Sequence, residues 1–318
     1  MIEIGKISYG YGPGKPVLKD VSLKAANGRI YGIFGLEGSG KSTLLSLMAG
    51  ARDLQEGVVR INGFDLRQES VSAKRCLGYC PQDVSFYPDM TVYELLEFLS
   101  DVKSVQDDRK YIQVHQWMEF FDLEKLRNQK ISGLTPFRML RLKLAQAVVG
   151  GSEILLLDEP STDLTDVNIQ SMKKMIRALN KRGKTVFLAT SRAEDVLDLA
   201  DEIALLHDGV LSAFAPANEW LEGCSLMLRT KGDRSTVLRL LSEMEGLISC
   251  QALGRGEGDA FHFRIRAASE DRADAVLSLM RANGMEAAVA VEDADEALAA
   301  LRRDCLDLKN GTGEGEEQ

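Results

Sequence analysis

Gly35-Leu36-Glu37-Gly38-Ser39-Gly40-Lys41-Ser42-Thr43 constrains this chain more than any other stretch, because it has the full spacing of a phosphate-binding loop. The strand-like run Arg29-Ile30-Tyr31-Gly32-Ile33-Phe34 leads into it, and the helix-prone Ser42-Thr43-Leu44-Leu45-Ser46-Leu47-Met48 follows. Strand, loop and helix in that order are the context a Walker A motif requires. The glycines let the backbone curl so that several N–H groups face an anion, and the helix N-terminus adds its partial positive charge there. In such a loop Lys41 reaches the β- and γ-phosphates and the Ser42 hydroxyl ligates Mg²⁺. Gly35, Glu37, Gly38, Ser39, Gly40 and Thr43 complete the expected nucleotide contacts. The motif predicts a nucleoside triphosphate ligand with a magnesium ion.

A second half of the site is expected at Ile154-Leu155-Leu156-Leu157-Asp158-Glu159-Pro160. An apolar run of that kind reads as a buried strand, which holds two carboxylates rigidly at its C-terminal edge, where α/β sheets bind ligands. Asp158 is then a magnesium holder acting through water, and Glu159 the group that polarises the water attacking the γ-phosphate.

At 318 residues the length suits about two domains. The first two-thirds alternates strand-like and helix-like segments, which points to an α/β layer fold. Val17–Leu23, 57–63, Thr185–Ala189 and Glu202–Leu206 read as strands, with a hairpin turn expected at Asp208-Gly209 before Val210–Phe214. From about Thr91 to Gly150 the pattern is helical, with Val92, Leu95, Leu96 and Leu99 on one face, and a helical subdomain is expected at about residues 85–150. Beyond about residue 225 the order is strand, helix, strand, strand, helix, strand, helix, as in a small ferredoxin-like α+β domain. There Phe261, Phe263 and Ile265 alternate with His262, Arg264 and Arg266, the mark of a strand with one wet face. The expected divisions are residues 1–222, 225–305, and a solvated acidic tail, 306–318.

No apolar run approaches the roughly 20 residues of a membrane span, and the start of the chain is no signal peptide, so a cytosolic chain is expected. A net charge of −9 weighs against a nucleic-acid partner. The five cysteines show no paired C-x-x-C spacing, and His115 and His262 stand alone in sequence; all are expected to be structural.

These motifs resemble the ATP-binding subunits of ABC transporters, and the likeness covers about residues 1–222. It implies that Tyr11 stacks on adenine and that Gln82, in Tyr79-Cys80-Pro81-Gln82-Asp83, reaches Mg²⁺ and the attacking water. Residues 86–94 resemble the segment that follows this Q-loop in exporter subunits. The small C-terminal domain resembles the ATPases of drug- or polysaccharide-type exporters, whose membrane subunit is a separate polypeptide. Such subunits sit on the inner face of the cell membrane and work as head-to-tail dimers.

Three family motifs are altered. The place of the Leu-Ser-Gly-Gly-Gln signature is taken by Leu134-Thr135-Pro136-Phe137-Arg138, with Ile131-Ser132-Gly133-Leu134 as an offset alternative. Ser191 stands where the family has its switch histidine, and is expected to hydrogen-bond the nucleotide in its place; Thr165 stands where the family has the D-loop aspartate. Pro136 has no N–H to donate, and Phe137 puts bulk where close backbone approach is needed. Two readings follow: a slow, transport-coupling ATPase that pairs best with a different ATPase subunit, or an ATP-dependent clamp that rarely hydrolyses. A soluble ABC protein of DNA repair or translation is a weaker third.

Overall fold

The computed structural model describes residues 1–292, apart from residues 13, 85, 104, 106, 208, 217–223, 232, 243, 245–246, 256–259 and 268–271. Asp208 of the expected hairpin turn, residue 222 at the expected domain boundary, the last expected helix and the acidic tail lie outside the described residues. Two compact units emerge: Met1–Asp201 with Leu206–Leu211, and Glu202–Leu205 with Ser212 onward.

The first unit is built on a parallel sheet. Strands β3 (Ile30–Phe34), β6 (Leu77–Cys80), β7 (Ile154–Asp158) and β8 (Thr185–Thr190) neighbour one another in the order β3-β8-β7-β6. Every residue of β3, β7 and β8 is buried, as expected of strands covered on both faces. The stacked rings of Tyr31 and Phe187, 5.0 Å between centroids, mark this core. A second, antiparallel sheet joins β1 (Ile2–Gly10), β2 (Pro16–Ala25), β4 (Val58–Ile61) and β5 (Phe64–Asp65) in the order β2-β1-β4-β5. Helices α1 (Lys41–Met48) and α2 (Ser70–Arg75) connect these strands. The expected α/β fold with a mixed sheet is therefore present.

The helical part consists of α3 (Val92–Val102), α4 (Asp107–Phe120) and α5 (Pro136–Val148). Thr91 and Glu94 close a capping box at the start of α3, each side chain accepting from the other's backbone N–H. Val92, Leu95 and Leu96 are buried on the expected face, and Leu99 is half-buried. His115 is not isolated: its Nδ1 lies 2.9 Å from Glu124 Oε1, and its ring sits 4.1 Å from that of Tyr111. Lys103, just past α3, donates from Nζ to the carbonyls of Gln146, Ala147 and Val149 at 3.1, 3.4 and 2.7 Å, capping α5 with a cation.

Burial pushes the Lys103 pKa down from 10.5 to about 8, with Lys184 adding a smaller push. The unfolded lysine keeps its proton to about pH 10.5, so between these values the unfolded chain binds more protons. Stability from this residue then rises with pH. Between pH ~8 and ~10, wild type is expected to gain about 2 kcal/mol relative to Lys103→Met, which urea titrations of both at each pH would measure.

Helices α6 (Asp166–Lys181) and α7 (Ala193–Leu199) complete the first unit, and β9 (Glu202–His207) and β10 (Val210–Pro216) carry the chain onward. The second unit follows as β11 (Cys224–Lys231), α8 (Arg234–Ser242), β12 (Leu247–Arg255), β13 (Phe261–Ala267), α9 (Arg272–Ala282) and β14 (Glu286–Glu292). Its antiparallel sheet runs β12-β13-β11-β14, the ferredoxin-like order that the sequence predicts. Leu226, Leu228, Phe263 and Ile265 pack on Val237, Leu241, Val276 and Met280 of the two helices.

Candidate nucleotide site

The phosphate loop lies at the C-terminal end of β3, inside the first unit. A Cβ on Gly35 would stand 2.3 Å from the Leu206 carbonyl oxygen, so only glycine lets the loop leave the sheet there. Gly40 caps α1 with φ of 104°, a left-handed conformation that glycine adopts without strain. Lys41 is 5% exposed; its Nζ donates to the carbonyls of Gly35 and Leu36, both at 2.8 Å, and lies 3.4 Å from Glu159 Oε1. The Ser39 hydroxyl is buried without a hydrogen-bond partner, an unsatisfied group in a loop shaped for an anion.

Strand β7 places Asp158 beside this loop, where Ser42 Oγ donates to Asp158 Oδ1 at 3.0 Å. Burial lifts the Asp158 pKa above its ordinary value, while the Ser42 hydroxyl and the Gln82 backbone N–H oppose the rise. A hydroxyl and a half-compensated carboxylate form a hard, all-oxygen donor set, which fits a magnesium ion. Glu159 sits in the left-handed region at φ 44°, a costly conformation for a non-glycine residue. Its N–H donates to the Ala189 carbonyl at 2.8 Å, and Ser191 Oγ donates to its Oε2 at 3.4 Å. The carboxylate is thereby held between Lys41 and Ser191.

A cleft of about 580 Å³ is lined by Tyr11, Glu37, Gly38, Gly40, Lys41, Ser42, Thr43, Gln82, Glu159 and Ser191, together with Val17 and Thr162. Among the expected site residues, Gly35, Ser39 and Asp158 do not line this cleft; Asp158 lines a neighbouring cleft that shares Gln82, Glu159 and Thr162 with it. Tyr11 is 59% exposed, and its hydroxyl shares a 3.0 Å hydrogen bond with Thr43 Oγ1. Sequence reasoning missed four contributors. Val17 and Thr162 line the cleft, Arg52 lies 5.0 Å from the Tyr11 ring centroid, and Lys143 of α5 donates to the Gln82 carbonyl at 2.7 Å. Thr162 stands three residues past Glu159, in the same stretch as Thr165, where spacing could have found it; the other three belong to no motif of fixed spacing.

Helix α5 starts at Pro136, with Thr135 as its N-cap and no side-chain cap bond. Phe137 packs under the Arg141 guanidinium at 4.5 Å, and Arg141 pairs with Asp122 at 2.7 Å. The offset alternative Ile131–Gly133 forms a single 3₁₀ turn.

The family model described as ABC transporter matches residues 18–162. A putative ABC transporter ATP-binding protein of Pyrococcus horikoshii, PH0132, is 30% identical over 225 residues, covering 70% of this chain and 86% of that protein. The chain belongs to the ABC transporter ATP-binding proteins. Another relative, the uncharacterized ABC transporter ATP-binding protein YhaQ of Bacillus subtilis, is 22% identical over 89% of this chain and 92% of its own length. The ATP-binding cassette MJ0796, solved as a dimer in a post-hydrolysis state with ADP and Pi, superposes with a TM-score of 0.62 at 23% identity. That match covers 68% of this chain and 99% of the other. As an ABC ATPase, the chain takes ATP with Mg²⁺ as its ligands. Among the described residues no helix is long and apolar enough to cross a membrane.

Proposed function

We propose that this chain powers an exporter: ATP closes a head-to-tail dimer of ATPase domains, and hydrolysis reopens it. An integral membrane subunit, held at the inner face of the cell membrane, would then move the substrate outward. Residues 1–222 would form the ATPase domain and 225–305 an accessory domain. The observation that carries this reading is the convergence of Lys41, Ser42, Gln82, Glu159 and Ser191 on one cleft, with Asp158 bonded to Ser42. Bound Mg²⁺ would neutralise phosphate charge, held by Ser42, Asp158 and Gln82. Lys41 would leave the carbonyls of Gly35 and Leu36 for the β- and γ-phosphates, and the loop amides with Ser39 would grip the remaining oxygens. Glu159, aimed by its Ala189 and Ser191 contacts, would take the proton of the attacking water. Tyr11 would stack on adenine.

An apolar groove on the helical part, lined by Tyr87, Pro88, Asp89, Met90, Glu94 and Phe98, supports a membrane partner. Tyr87 and Phe98 are 65% and 44% exposed, two aromatic side chains in one groove that suit contact with a helix from another chain. The start of α5 favours a heteromeric ATPase pair, because Pro136 withholds the N–H that the partner's γ-phosphate would meet. The same feature, together with Ser191, supports the second reading, a clamp that closes on ATP and seldom hydrolyses it.

Mg-ATP hydrolysis across a range of protein concentrations tests both. The purified chain is expected to turn over slowly and to bind ATP well, with activity above that of Glu159→Gln. Brisk turnover by a strict homodimer would overturn the heteromeric part. Tight binding with turnover equal to the Gln variant would select the clamp.

A further inference from the structure

Gln55 lies in the loop between α1 and β4, exposed to solvent, yet its amide makes two bonds to one distant residue. The Gly10 N–H donates to Gln55 Oε1 at 2.9 Å, and Gln55 Nε2 donates to the Gly10 carbonyl at 2.8 Å. Gly10 ends β1 and is paired in the ladder with Pro16, which has no N–H to give. The Gln55 amide therefore meets both backbone groups of Gly10 as another strand would. The loop that carries it is itself anchored, because Arg67 Nη2 donates to the carbonyls of Leu54 and Gln55 at 2.8 and 3.2 Å.

The next residue after Gly10 is Tyr11. Its ring stands between the nucleotide cleft and a neighbouring cavity of about 500 Å³, which Gln55, Glu56 and Lys15 help to line. Two bonds to the preceding residue fix where the Tyr11 backbone starts. Arg52, from the same loop as Gln55, lies over the ring.

We propose that Gln55 is the positioning residue for the base platform: its two-bond clamp on Gly10 aims Tyr11 at the purine. This rests on the reading that Tyr11 stacks on adenine. A misaimed ring loses base stacking and leaves phosphate binding intact.

The test is calorimetric binding of Mg-ATP and of Mg-tripolyphosphate, which has no base, to the full-length wild type, Tyr11→Ala, Gln55→Ala, Gln55→Glu and the Tyr11→Ala/Gln55→Ala double variant. Gln55→Ala is expected to weaken ATP binding about fivefold or more and to leave tripolyphosphate affinity within twofold. The double variant is expected to bind ATP no more weakly than Tyr11→Ala alone, because both substitutions remove the same contact. Gln55→Glu keeps the acceptor and loses the donor, so it should fall between wild type and Gln55→Ala; it also serves if the alanine variant does not fold. Unchanged ATP affinity in both Gln55 variants would overturn the inference, as would equal loss for ATP and tripolyphosphate. A Tyr11→Ala variant that binds ATP like wild type would instead refute the role of Tyr11.

Discussion

Lys41→Ala is expected to lower ATP affinity by about a hundredfold or more, because it removes the one side-chain cation that the loop encloses in the cleft. Lys41 is nearly fully buried, and its ammonium satisfies two loop carbonyls while standing 3.4 Å from Glu159. Without it, the Gly35 and Leu36 carbonyls lose their donor and the Glu159 carboxylate, 11% exposed, loses its cation. The variant should therefore also be less stable, by about 1–3 kcal/mol. Equilibrium binding of a fluorescent ATP analogue and a urea titration read the two effects separately. Affinity within threefold of wild type would sink this assignment.

Glu159→Gln is expected to do the reverse: hydrolysis falls about a hundred- to a thousandfold while ATP binding holds or tightens. Glutamine keeps the shape, and its amide oxygen still faces Lys41, but it cannot accept the water's proton. The left-handed backbone at Glu159 persists, since the Ala189 bond is made by the main chain. A single-turnover assay beside a binding titration separates the two effects. Hydrolysis that survives the substitution within fivefold would move the general base to another residue.

The central elements of this architecture were legible because their signals are local. The run from Ile30 to Thr43 carries strand, glycines and helix in one window, and Ile154–Leu157 is apolar at every position. The second unit was legible through alternation in Phe261–Ile265, which falls in β13 with Phe263 and Ile265 buried. Strand β1 was not. Its pairing with β2 shifts register between Ile4 and Ile7, Ile7 and Tyr9, and Tyr9 and Gly10, so buried positions do not fall at every second residue. The partners of the site residues were also hidden. Gln55 meets Gly10 across 45 positions, and Lys143 meets Gln82 across 61, distances at which spacing carries no signal. His115 acquires Glu124 only because the chain turns back after α4.

The first turn of α5 sets two local requirements against each other. Proline at the first helical position starts a helix well, since its fixed φ suits the turn and its missing N–H is unbonded there anyway. Phe137 is tied in as well, through Arg141 to Asp122. Exchange of Pro136 for glycine would add one donor and loosen the start of the helix, and exchange of Phe137 for glycine would strip the cover from Arg141. Each single substitution costs local order before it frees the backbone. At this one turn, then, helix order and open backbone amides compete, and the chain as it stands favours order.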